Sequence, residues 1–99
     1  MADTQTDRLD EATTVYTAYL IEAYGFGADD VALPESYRGN EVDWFGALNV
    51  ILTELEDYRP DEVRAILTAR NPWVEGGGTL LDLLRRGDGG KVRRILRRY

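Results

Sequence analysis

The side chains that most enzymes use near neutral pH are missing from this sequence, which contains no histidine and no cysteine. Neither a Ser-His nor a Cys-His nucleophile pair can be assembled, and imidazole and thiolate metal sites are excluded. Ser36 is the single serine. Carboxylates remain, and Glu54, Glu56, Asp57, Asp61 and Glu62 crowd one stretch. Their spacing matches neither an EF-hand loop nor the Glu-x-x-His pattern of a metal-binding bundle. They read as a solvated junction whose acids favour a helix N-terminus. Gly76-Gly77-Gly78-Thr79 opens a predicted helix and could offer free amides to an anion. It lacks a P-loop lysine, a preceding strand and G-x-G-x-x-G order, so a turn is the simpler reading. The inventory points to a protein that binds and does not catalyse, with no cofactor and no metal.

Charge supplies the second signal. The 99 residues carry a net charge of −6, unevenly distributed. Residues 85–99 hold seven basic residues (Arg85, Arg86, Lys91, Arg93, Arg94, Arg97, Arg98) against Asp88 alone, giving +6. The remaining residues, five basic against 17 acidic, carry −12. Such a split implies that a basic helix docks on an acidic body, that a basic surface is offered to a partner, or both. The last helix pairs an apolar stripe of Val92, Ile95, Leu96 and Tyr99 with an arginine face, a pattern that suits phosphate backbones or acidic protein surfaces. The −12 of the body disfavours nucleic acid, because long-range steering follows the summed field. A membrane role is disfavoured by the shortness of the stripe, and no run approaches 18 apolar residues. With no cysteine and no signal-peptide pattern in MADTQTDRLDEA, a cytoplasmic setting is expected.

The elements that must position these residues are helical throughout. Hydrophobic residues at 43% and charged residues at 30% describe a globular chain, and its length suits one domain. Leu9, Ala12, Val15, Tyr16, Tyr19, Leu20, Ala23 and Tyr24 recur at helical spacing and predict a first helix over about 7–24, after frayed residues 1–6. A connector to Asn40 follows, with a helical turn expected at 29–33. A second helix over 41–58 places Trp44, Ala47, Leu48, Ile51, Leu55 and Tyr58 on one face and Val42, Phe45 and Leu52 on a neighbouring one. Its second face is expected to meet either the core or another copy of the chain. Pro60 sits where an N1 proline belongs and begins a third helix to about Arg70, burying Val63, Ile66 and Leu67. Thr79-x-x-Asp82 reads as an N-cap for a fourth helix to Arg86, ended by Gly87, and Asp88 can cap a fifth. The expectation is an all-α, compact bundle of about five helices in a single domain, with an N-terminal half at 1–58 and a partner-binding segment at 59–99.

The segment Asn71-Pro72-Trp73-Val74-x-Gly76-Gly77-x-Thr79-Leu80-Leu81-Asp82-Leu83-Leu84-x-x-Gly87-Asp88-x-x-x-Val92-x-x-Ile95-Leu96 resembles the toxin-binding domain of Xre/MbcA/ParS-type antitoxins over about residues 60–99. The likeness lies in an Asn-Pro loop, a Gly-Gly turn, a short Leu-rich helix, a Gly-Asp break and a last helix with an apolar stripe. It implies an antitoxin that binds and neutralises a RES-type, NAD-consuming toxin through its C-terminal helices. Transferred to this sequence, the contact falls on Trp73, Leu80, Leu83, Leu84, Val92, Ile95 and the Arg93/Arg97 face, with Tyr99 nearest the toxin's pocket. Two other functions fit the composition: a nucleic-acid-binding regulator using the arginine-rich helices, or an acidic, phage-type inhibitor of a nucleic-acid enzyme. The connector from Gly25 to Asn40 is too long and too acidic for the tight turn of a helix-turn-helix.

Overall fold

A computed structural model describes residues 14–98, and these form an all-α fold. The chain divides into two compact units, Met1–Ala32 and Leu33–Tyr99. The long central helix packs on the two C-terminal helices and so belongs to the second unit.

In the first unit, α1 spans 14–24 and α2 spans Ala28–Val31. Gly25 ends α1 with a φ of 78°, a left-handed conformation that glycine adopts without a Cβ clash, and its amide donates to the Ile21 carbonyl at 2.9 Å. Leu20, Phe26 and Val31 are buried, whereas Val15 and Tyr19 of the predicted apolar face are exposed. Tyr16 stacks on Tyr19, and Tyr24 meets both Tyr19 and Phe26. Burial, and then the neighbouring tyrosines, raise the hydroxyl pKa values of Tyr16 and Tyr24 above the usual value. The helix start expected near Asp7, with Leu9 and Ala12, lies outside the described residues.

The second unit contains α3 (Glu41–Glu54), α4 (Pro60–Thr68), α5 (Leu80–Arg85) and α6 (Gly89–Leu96), preceded by a 3-10 turn at Glu35–Tyr37. Trp44, Leu48, Ile51 and Leu52 are buried along α3, and Leu55 just past its end; α3 packs on α5 and α6, while α4 packs on α5. The helix ends at Glu54 rather than at the expected Tyr58. Pro60 pushes Arg59 into an extended conformation (ψ 153°), and the amides of Glu56 and Tyr58 bond three residues back instead of four. Tyr58 is left 39% exposed and contributes little to the interior.

Helix α5 is short but strongly framed. At its start, the Asp82 amide donates to Thr79 Oγ1 at 3.0 Å, and the Thr79 amide donates to Asp82 Oδ2 at 3.2 Å, so the capping box expected from sequence is formed. At its end, Gly87 takes a φ of 90°. Its amide bonds the Leu84 carbonyl and the Asp88 amide bonds that of Leu83, which together make a Schellman motif. Asp88 occupies the N-cap position of α6 without a side-chain cap hydrogen bond. Thr79→Ala should destabilise this unit by about 1 kcal/mol. Urea unfolding followed by circular dichroism checks this, with the helical content of the native baseline unchanged.

Candidate functional site: a cationic groove beside Trp73

The segment 71–78 is a loop closed at its base. Arg70 and Thr79 form an antiparallel bridge, and the Asn71 amide donates to the Gly78 carbonyl at 3.0 Å. Asn71 is buried, at 3% exposure, and its Oδ1 accepts the Trp73 N–H at 2.9 Å. The asparagine side chain thereby completes a local turn that fixes where Trp73 leaves the chain. Val74 points inward and is buried, while Trp73 is 45% exposed.

Against Trp73 lies one flank of α6. Trp73, Lys91, Arg94, Ile95 and Arg98 enclose a groove of about 220 Å³. The Arg98 guanidinium sits 5.7 Å from the Trp73 ring centroid, within cation–π range. A helix advances about 100° per residue, so Lys91 and Arg94 lie about 60° apart on α6, and Arg98 follows two residues past the helix end. The groove is therefore an aromatic wall, an aliphatic floor at Ile95 and three cations in a row. Among the described residues none of these cations is in an ion pair.

The sequence-derived contact residues distribute differently. Leu80, Leu84 and Val92 are fully buried, and Leu83 and Ile95 nearly so. In α5 four of six residues are buried leucines, and a helix apolar on nearly all sides is an interior element. These side chains hold the unit together, and of them Ile95 alone reaches the groove, as its floor. Arg93 is engaged within the chain, its Nε donating to Glu54 Oε1 at 2.7 Å and joining α6 to the end of α3. A part-exposed pair of this kind contributes at most about 1 kcal/mol. Arg97 is exposed outside the groove, and Tyr99 lies outside the described residues. Of the nine, Trp73 is the one that both lines the groove and stands exposed. Lys91, Arg94 and Arg98 were missed as a group, although their i, i+3, i+7 spacing was available; what sequence could not supply was the loop that brings Trp73 to them.

Other candidates resolve into structure. The amide of Thr79 is taken by Asp82, and that of Gly77 by the Val74 carbonyl, so two N–H groups of the glycine loop are engaged within the chain and not offered to an anion. In the acidic stretch Glu54 pairs with Arg93, Asp61 pairs with Arg59 at 3.3 Å, and Glu62 accepts the Arg59 amide at 3.2 Å. Among the described residues no three acidic side chains converge on a point that could hold a metal ion. A second cleft, of about 600 Å³, is bordered by Glu35, Glu75 and Asp82 together with Arg85 and Arg86, and its charges oppose one another. Arg85 there is already committed, lying 5.7 Å over Trp44 and accepting the Ser36 hydroxyl at its carbonyl.

Among the described residues no helix is long and apolar enough to cross a membrane. Comparison with protein-family models, curated proteins and solved structures finds no match to the chain.

Proposed function

We propose that this chain is a non-catalytic protein-binding module that neutralises a toxin in the manner of Xre/MbcA/ParS-type antitoxins, with the loop 71–78 and the outer flank of α6 as its recognition face. One observation carries the reading: a half-exposed tryptophan is held beside three cations that have no acidic partner among the described residues. Tryptophan and arginine are the side chains most enriched at energetic centres of protein interfaces. The absence of histidine and cysteine supports binding over catalysis, and the order of loop, capped leucine helix, Gly-Asp break and final helix supports the resemblance.

Co-expression with the product of the adjacent gene tests this reading. A complex that survives size exclusion, together with rescue of growth from that product's toxicity, is the expected result; separate elution with no rescue rejects it. A nucleic-acid-binding regulator is favoured by the same tryptophan, since aromatic rings beside cations also stack bases. That alternative requires affinity for an oligonucleotide that falls steeply as salt rises.

A further inference from the structure

The groove has dimensions and chemistry that select among protein ligands. Its volume of about 220 Å³ is below the roughly 300–1,000 Å³ of small-molecule pockets, so it accommodates a side chain rather than a cofactor. Among the described residues no acidic side chain lines it. Along α6, Lys91 to Arg94 is a rise of about 4.5 Å, and Arg98 stands two residues past the helix end with its amide on the Ile95 carbonyl. An extended peptide repeats side chains on one face every two residues, about 6.6 Å. Arg94 and Arg98 both line the groove, so carboxylates two residues apart on one face of such a peptide reach the pair together, and guanidinium forks hold carboxylates in bidentate geometry. Trp73 and Ile95 supply apolar surface between and beside those charges.

The geometry points to an extended acidic peptide segment of the partner protein as the occupant, with two carboxylates on Arg94 and Arg98 and one apolar side chain against Trp73 and Ile95. This rests on the reading that the face binds a protein, and it names the chemistry of the segment bound. Charge decides against a nucleic acid in the same groove. Duplex DNA carries one negative charge per about 1.7 Å, and residues 1–84, at −12, repel such a polyanion far more than a peptide with a few carboxylates.

Fluorescence anisotropy on the full chain tests this at about 0.15 M salt, where the Debye length is about 8 Å and distant charges are screened. The probes are a short labelled peptide of order Asp-Gly-Asp-Gly-Leu, which puts both carboxylates and the apolar side chain on one face when extended, its asparagine-for-aspartate counterpart, and a labelled thymidine oligomer. We expect the aspartate peptide to bind and the asparagine peptide to bind at least about ten-fold more weakly. Arg94→Ala with Arg98→Ala should weaken the aspartate peptide at least about ten-fold, and Trp73→Ala similarly. Arg64→Ala with Arg86→Ala removes the same charge elsewhere and should change affinity less than two-fold, with all variants keeping the wild-type dichroism spectrum. Equal losses in the two arginine pairs, tighter binding of the thymidine oligomer, or no binding of the aspartate peptide would overturn the inference. The purified complex with the adjacent gene product separates the two levels. A complex indifferent to the Arg94/Arg98 pair rejects the acidic segment but keeps the protein-binding reading, whereas no complex at all rejects that reading itself.

Discussion

Trp44→Ala should remove most of the stability of the Leu33–Tyr99 unit. The Trp44 side chain is fully buried, its ring lies 5.3 Å from that of Tyr37, and the Arg85 guanidinium stacks over it. Burial holds the Tyr37 hydroxyl above its usual pKa, with Asp43 and Asp88 adding to the effect. Truncating a buried tryptophan costs about 3–5 kcal/mol, because the lost transfer energy is joined by that of the cavity left behind. A unit of this size has a total stability of about 3–10 kcal/mol. The variant should therefore unfold at low urea or lose its cooperative transition altogether. Val42→Ala, on the same helix but at a residue 67% exposed, should stay within about 0.5 kcal/mol of wild type. Urea titrations of both by far-ultraviolet dichroism check the contrast, and similar midpoints for the two variants would contradict the packing described.

Asn71→Ala should act on both stability and recognition. Its Oδ1 is the acceptor for the Trp73 N–H, and its own amide closes the loop base on Gly78. Alanine keeps the backbone bond and deletes the side-chain acceptor. An orphaned donor at a partly buried site costs about 1–3 kcal/mol, which corresponds to a urea midpoint lower by about 1 M at an ordinary slope. The Trp73 amide should lose protection in hydrogen exchange, and binding of the aspartate peptide should weaken even though Asn71 does not line the groove. Glu75→Ala, at an exposed position of the same loop, should leave the midpoint unchanged. Wild-type exchange at the Trp73 amide in the Asn71 variant would remove this residue from the positioning of the groove.

Much of this protein was readable without coordinates, and the readable parts share a property: they are decided within a few residues. Pro60 at the start of α4, the Thr79–Asp82 box, and the stops at Gly25 and Gly87 each follow from backbone sterics or from hydrogen bonds spanning three or four positions. The all-α class followed from apolar spacing of the same range. Errors arose where two signals overlapped. Tyr58 continued the stripe of α3, but the chain leaves the α-helical pattern at Leu55 and Pro60 then holds Arg59 extended.

The sequence alone determined the helical character, the capped ends and a side-chain inventory without imidazole or thiol. Tertiary structure alone decided what each apolar or charged face meets. An apolar stripe reads the same whether it is destined for the core or for a partner, because burial favours both equally. Packing sent Leu80, Leu83, Leu84, Val92 and Ile95 inward. It also spent Arg93 on Glu54, across 39 positions of chain. The groove itself comes from that level: Trp73 and Arg98 meet because a loop clamped by Asn71 and Gly78 is carried to the flank of a helix that begins well after it. No local rule relates those two residues; the fold of the unit does.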